Sequence, residues 1–241
     1  MGTFEGYVGI RMWNEQLVDD IVFSLLFILL VCFALVFRAN FRLFQKMVRD
    51  VVYVKERHNF SQITGENEPL FRNFMTFQAL FLASVCIFKF SQAYGYFYFI
   101  MENIALVSIG LIMAILFLYY WYKRSFYYLL GIVFTDPLKY KFWKTNYNAI
   151  MGAWGVCLYL PTLLLVFVES KVEIPLFLFI LFYVLNRFVI IYKTIRIFYK
   201  TNRGFIYLSL YLCAQEFLPL VFLYEGILYL YNFIESSTLW H

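Results

Sequence analysis

The sequence predicts an all-α integral membrane protein: one helical bundle of six spans, with both termini on the non-cytoplasmic side. Hydrophobic residues make up 63% of the 241-residue chain and charged residues only 15%, whereas soluble domains average about 45–50% and 25%. Six apolar runs are each about as long as the roughly 20 residues that one bilayer crossing needs. Basic residues gather in alternate connections between these runs, which is the pattern of cytoplasmic loops.

The six apolar runs are each interpreted as a helix, because a helix satisfies its own backbone polar groups inside lipid. They form a single membrane domain over residues 1–241, without a soluble domain. The predicted spans are Ile21–Phe37, Phe74–Phe97, Asn103–Tyr122, Tyr147–Val168, Pro175–Tyr192 and Phe205–Tyr224.

Charge supports both the number of spans and their orientation. Of the 20 Lys and Arg residues, seven lie between the first and second spans, five between the third and fourth, and four just after the fifth. The other connections and both tails are poor in positive charge. Since positive residues gather on the cytoplasmic side, the three basic connections are predicted to be cytoplasmic.

Two segments fit neither a span nor an open loop. Phe41–Val54 has apolar residues at helical spacing opposite Arg42, Lys46 and Arg49, which predicts a basic amphipathic helix on the cytoplasmic membrane surface. An extension of the first span, or packing under its own bundle, fits the pattern as well. Phe126–Phe134 is apolar but too short to cross a bilayer, so it is predicted to be interfacial or re-entrant.

Ionisable residues inside spans are costly and therefore mark candidate sites. Arg187 in the fifth span and Glu216 in the sixth would lie on neighbouring antiparallel helices, where they could form an intramembrane ion pair. Asn186 and Gln215 supply polar neighbours. The pair is interpreted as either structural or a transport or proton site.

Two prolines within the predicted spans favour helix kinks close to these polar residues. Pro161 removes a backbone donor in the fourth span, and Pro219 does so in the sixth, three residues after Glu216. Kinked helices with polar groups at mid-depth occur in transporters, but they also occur in structural bundles.

The sequence contains no hydrolase, nucleotide-binding or metalloprotease motif. Its four Cys and two His are scattered without metal-ligand spacing. We therefore expect no catalytic residues, no cofactor, no bound metal and no nucleic-acid partner.

The stretch Tyr207–Tyr224 (YLSLYLCAQEFLPLVFLY), which contains Glu216 and Pro219, resembles the closing segment of a family of Bacteroidota inner-membrane proteins known only as a domain of unknown function. Gln215 and the tail at Glu225 depart from that family's pattern. The resemblance implies the inner membrane of a diderm bacterium, and it implies no activity.

Other parts of the chain are similar to the same family, so that the resemblance covers Ile21–Tyr224. They are the first span with its basic exit, the aromatic stretch Phe126–Val166 with its Leu160-Pro161 pair, and the Asn186-Arg187 pair.

The first functional hypothesis is a non-enzymatic inner-membrane subunit or scaffold of a larger cell-envelope complex, because short loops leave mainly membrane faces for interaction. Its partners would be the lipid bilayer and other membrane proteins. The second is a small-solute or proton-coupled transporter that uses Glu216 and Arg187. The third is an intramembrane enzyme that acts on lipid.

Overall fold

The computed structural model describes residues 13–52, 68–94, 105–134, 137–167 and 172–198, together with Glu225. These residues form six α-helices. In chain order they are α1 (Trp13–Ala39), α2 (Phe41–Val52), α3 (Glu68–Ala93), α4 (Ala105–Phe134), α5 (Pro137–Phe167) and α6 (Glu173–Phe198).

Five of the described helices, all except α2, are long and apolar enough to cross a membrane. The prediction of an all-α fold is therefore confirmed for the described residues, and five of its helices could cross a membrane. The predicted sixth span, Phe205–Tyr224, and both chain termini lie outside the described residues, so six spans and the orientation remain predictions.

Helices α3 and α5 form the centre of the bundle. Within the spanning windows, 67% of α3 and 50% of α5 are buried, against 17% of α1, 22% of α4 and 17% of α6. Helix α5 contacts the other five helices, and its most extensive contact is with α3. The main core is made of apolar residues from α1, α3, α4, α5 and α6.

Small residues allow α3 and α5 to approach closely. A Cβ atom added to Gly155 would lie 2.8 Å from the Cβ and 3.0 Å from the Cα of Ala79. A Cβ on Gly152 would lie 2.9 Å from the Met47 sulfur and 3.0 Å from the Met75 Cβ. Inside a membrane, where water drives little helix association, such close contact is a main source of packing energy.

Several helices continue beyond the predicted spans, into segments that were assigned to basic loops. Helix α3 begins at Glu68 rather than Phe74, α5 at Pro137 rather than Tyr147, and α6 ends at Phe198 rather than Tyr192. A span predicted from hydropathy stops at the first charged residues. The helix itself can continue through charged residues when they have partners or reach water.

Phe126–Phe134 is not a separate interfacial or re-entrant segment, because it is the last part of α4. Only Lys123, Arg124 and Ser125 separate it from the predicted third span, and none of these breaks a helix. The 30 residues of α4 extend for about 45 Å, longer than the roughly 30 Å hydrocarbon core. The segment pairs with α5, where Gly131 lies against the Tyr140 ring.

Helix α2 is amphipathic as predicted, and it ends at Val52. Asn40 joins it directly to α1: its backbone N–H and side-chain amide both donate to the Val36 carbonyl, and its own carbonyl accepts from Leu43 and Phe44. Met47 is buried against α3 and α5. The helix therefore packs on its own bundle through one face, which was one of the alternatives for this segment.

The three basic residues predicted for the membrane surface separate into two groups. Arg42 and Arg49 are exposed on α2. Lys46 instead points toward α3, where it forms an ion pair with Glu68.

Candidate functional site

The most elaborate polar arrangement in the described part of the chain is an ion network between α2 and α3. Its members are Lys46 and Asp50 on α2 and Glu68 and Arg72 on α3. Lys46 Nζ lies 2.7 Å from a Glu68 carboxylate oxygen. Arg72 donates to Asp50 at 2.7 Å and to the other Glu68 oxygen at 2.9 and 3.1 Å.

This network continues to α5 and α6. Arg72 also donates to the Thr145 carbonyl on α5 at 2.9 Å. From α6, Lys193 donates to the Asp50 carbonyl and, at 3.1 Å, to the Asn146 side chain. Four helices thus meet through hydrogen bonds at one end of the bundle, which we call the basic end.

The α3 charges of the ion network and the Lys193 that joins it are removed from solvent, whereas Lys46 and Asp50 on α2 are partly exposed. Glu68 and Arg72 are each 5% exposed and Lys193 is 2% exposed. The three guanidinium nitrogens of Arg72 each donate to an acceptor on another residue. Because both carboxylates are engaged by cations, the arrangement can hold helices together but presents no free acid or base for catalysis.

Next to the ion network, the basic end contains stacked aromatic rings between α4 and α5. The Tyr127 and Trp143 rings lie 4.5 Å apart, and Trp143 and Tyr147 lie 5.0 Å apart. Trp143 also donates to the Thr194 hydroxyl on α6 at 2.9 Å. Tyr127, Trp143 and Tyr147 are all buried in the main core, so these rings pack α4, α5 and α6 together at the basic end.

The site predicted from sequence is only partly described. Asn186 is buried where α6 contacts α5, and its amide nitrogen lies 3.9 Å from the Met151 sulfur. The Arg187 guanidinium lies over the Tyr183 ring at 4.8 Å. Gln215 and Glu216 lie outside the described residues, so the predicted ion pair stays a prediction.

Near Asn186 the structure contains buried polar atoms whose partners are not among the described residues. They are the Asn186 side-chain oxygen and the Trp154 indole nitrogen. Such atoms are uncommon, since buried polar groups normally make hydrogen bonds. This polar surface on α5 and α6 therefore marks a second position of interest.

Of the two predicted kink positions, Pro161 lies inside α5, which continues through it to Phe167, and Pro219 lies outside the described residues. The hydroxyl of the adjacent Thr162 donates to the Leu158 carbonyl at 2.5 Å and contacts the Cys86 sulfur at 3.1 Å. Pro161 does not end the helix, and a kink there remains a prediction.

No group of three or more His, Cys, Asp or Glu residues among the described residues could hold a metal ion. The ion network was missed from sequence because Arg72 and Lys193 were assigned to loops. One signal was present: Glu68 and Arg72 are four residues apart, the spacing that puts an acid and a base on one helix face.

Comparison with known proteins identifies one family. The family described as Domain of unknown function (DUF4271) matches residues 22–227 of the chain. No curated protein and no solved structure matches it. Since residues 22–227 make up well over half of the 241-residue chain, the chain belongs to this family of domains of unknown function.

Proposed function

We propose that the protein is a non-enzymatic subunit or scaffold of a larger complex in the inner membrane of a bacterial cell envelope. The observation that supports this most directly is that the charged groups make contacts within the bundle, whereas broad apolar helix faces are exposed. The charges of the ion network hold α2 against α3, and hydrogen bonds from Arg72 and Lys193 connect them to α5 and α6. The apolar faces of α1, α4 and α6 are left open to lipid or to other membrane helices.

These open faces are broad and rich in large side chains. Phe27 on α1 is 59% exposed, Leu118 on α4 is 63% exposed and Phe177 on α6 is 65% exposed. Inside a membrane such a face costs nothing while it contacts lipid. It can exchange lipid for a partner helix at little cost, which is what a subunit requires.

Site-specific photo-crosslinking in native membranes tests this proposal. A photoreactive phenylalanine analogue would replace Phe27, Leu118 or Phe177 in turn, with the buried Phe88 of α3 as the matched control. We expect a discrete protein adduct from at least one outward face and none from Phe88. Lipid adducts alone from all three faces, together with migration of the protein by itself in mild detergent, would contradict the proposal.

The proposed orientation places the basic end in the cytoplasm and both termini in the periplasm. Its support is that Lys and Arg are more frequent in cytoplasmic connections. Cysteines introduced near Gly65 and Asn202 should then be protected from an impermeant thiol reagent in intact cells, whereas cysteines near the N-terminus and His241 should react. Labelling of Gly65 and the N-terminus from the same side would refute the six-span arrangement.

A second candidate function, a small-solute or proton-coupled transporter, is favoured by one observation. The Asn186 oxygen and the Trp154 nitrogen are buried at the contact of α5 and α6 without partners among the described residues, next to Arg187. The Asn186 oxygen needs a donor and the Trp154 N–H needs an acceptor. A transported solute with both groups, or Gln215 as donor and Glu216 as acceptor from the predicted sixth span, would supply the missing hydrogen bonds.

Paired substitutions separate the two functions. If Glu216 and Arg187 form a structural pair, Glu216→Gln should destabilise the protein by about 3–5 kcal/mol, and adding Arg187→Met should recover much of the loss. A transporter would regain stability in the double variant yet fail to complement a deletion strain. Melting temperature in detergent and growth are the two readouts. If neither single variant alters either readout, this site is refuted.

A further inference from the structure

A second group of charges at the basic end has a different composition from the ion network. Helices α4 and α5 contain five basic residues and no Asp or Glu along their whole length. The five are Lys123, Arg124, Lys139, Lys141 and Lys144. All of them lie in the part of each helix nearest the connection between α4 and α5.

The antiparallel register of α4 and α5 brings two of these cations face to face. On one side, the Tyr120 hydroxyl donates to the Asn148 side-chain oxygen at 3.2 Å. On the other side, the Tyr128 and Tyr140 rings meet edge to face at 5.3 Å. Arg124 is one helical turn from both tyrosines of α4, as Lys144 is from Tyr140 and Asn148. Arg124 and Lys144, here called the cation pair, therefore lie opposite each other between two fixed contacts.

The cation pair has no counter-charge in the described part of the chain. The ion pairs formed there involve Lys46, Asp50, Glu68 and Arg72, and neither member of the cation pair takes part. Both members are half-buried. Like charges held close together away from bulk water repel each other strongly, so this arrangement favours a bound anion.

The surroundings of the cation pair define which anion fits. Arg124 interacts electrostatically with the Tyr120 and Tyr140 hydroxyl groups as well as with Lys144. A guanidinium group, an ammonium group and the phenol hydroxyl of Tyr140 suit the oxygens of a phosphate group, whereas the Tyr120 hydroxyl already donates its hydrogen to Asn148. The exposed Trp121 and Tyr122 rings lie on the same stretch of α4, which is typical of the head-group level of a bilayer.

We propose that Arg124 and Lys144, assisted by Tyr140, bind the phosphate of an anionic phospholipid in the leaflet at the basic end. The phospholipid supplies the negative charge that α4 and α5 lack, and its acyl chains lie along the exposed apolar face of α4. The proposal does not depend on whether the protein is a subunit or a transporter.

Native mass spectrometry of the full-length, delipidated protein with added phosphatidylglycerol tests the proposal, with phosphatidylcholine as the zwitterionic probe. The double variant Arg124→Gln with Lys144→Gln should bind phosphatidylglycerol about 30-fold more weakly. The matched control, Arg42→Gln with Arg49→Gln, removes the same charge from exposed positions of α2 and should stay within about twofold of wild type. Equal losses in both double variants, or equal binding of the two lipids by wild type, would overturn the proposal.

Thermal melting in lipid-free detergent shows whether the double variant is folded. Repeating it with added ligands distinguishes a phospholipid from free phosphate as the bound anion. The cation-pair double variant should melt no lower than wild type, because the substitutions remove a repulsion, and it should lose the stabilisation that phosphatidylglycerol gives to wild type. If millimolar inorganic phosphate reproduces the full stabilisation and phosphatidylglycerol gives none, the site binds free phosphate and the lipid proposal is wrong.

Discussion

The basic end of the bundle contains two charged regions that are built in opposite ways. In the ion network, Lys46 and Arg72 face the carboxylates of Glu68 and Asp50. In the cation pair, Arg124 and Lys144 face each other, on helices without a single acid. Both regions belong to segments that look equally basic in the sequence. The charges of the ion network are balanced by carboxylates of the protein, whereas those of the cation pair are not.

The difference separates two uses of a positive charge near a membrane. A matched cation on a helix fixes the position of a neighbouring helix, and removing it leaves a buried carboxylate uncompensated. A cation without a carboxylate partner does less to fix a neighbouring helix, and it attracts anions from outside. Substitutions in the two regions should therefore change stability by different amounts and with opposite sign.

The largest effect is expected from Arg72→Met. Arg72 bonds Asp50, Glu68 and the Thr145 carbonyl, so its loss should lower the free energy of unfolding by about 3–5 kcal/mol. The measurement is chemical or thermal unfolding in detergent. Combining Arg72→Met with Glu68→Gln should recover part of the loss, and a double variant no more stable than the single one would contradict the matched-charge description.

The next effect tests the close contact between α3 and α5. Gly155→Ala would place a Cβ 2.8 Å from that of Ala79 and 3.0 Å from its Cα. Because the Ala79 backbone cannot move aside, the substitution should cost about 1–3 kcal/mol. Gly110→Ala is the matched control, since a Cβ there meets nothing within 4 Å. It should be neutral or stabilising by up to about 1 kcal/mol. Equal melting temperatures for the two variants would refute the close approach.

A smaller loss is expected from Lys46→Gln. The Lys46 side chain is 27% exposed, and solvent screening reduces the value of a partly exposed ion pair. Glu68 also keeps its bonds to Arg72, so we expect a loss of about 0.5–1 kcal/mol. Arg49→Gln, an exposed residue on the same helix, is the control. A loss as large as that of Arg72→Met would mean that Lys46 has a larger part in the ion network than its exposure indicates.

The smallest effect, with the opposite sign, is expected from Lys144→Gln in lipid-free detergent. Removing one of two facing cations should leave the free energy of unfolding unchanged or raise it by up to about 0.5 kcal/mol. The melting temperature should then stay the same or rise slightly. Differential scanning fluorimetry of the delipidated protein measures this. A clear loss of stability would show that Lys144 has an internal partner and would remove the contrast between the two regions.

Hydropathy predicted the five described spans to within several residues, because apolar length is a local property of the sequence. It could not predict that Arg72 and Lys193 lie within helices, because their partners Asp50 and Asn146 are distant along the chain. Phe126–Phe134 was separated from the third span because Lys123 and Arg124 interrupt the apolar run, although neither residue breaks a helix.

The candidate site shows the same limit. The sequence singled out Asn186 and Arg187 as polar residues inside a predicted span, and their role as a site stays a prediction. The structure places Asn186 against α5 and Arg187 over the Tyr183 ring. Which atoms lie near them depends on tertiary packing. The pairing of Arg124 with Lys144 depends on the register of α4 against α5, which is set by the contact of Tyr120 with Asn148 and by the ring contact of Tyr128 with Tyr140.

The central position of α5 also has a consequence for how the protein is made. A ribosome completes α3 before it begins α5, so the side of α3 that contains Ala79 and the fully buried Gln78 has no α5 to pack against during that interval. The Arg72 bonds to Asp50 and Glu68 use residues already synthesised, whereas its bond to Thr145 must wait. Nascent chains halted after α4 should therefore stay associated with the insertion machinery, and release should follow once α5 has emerged.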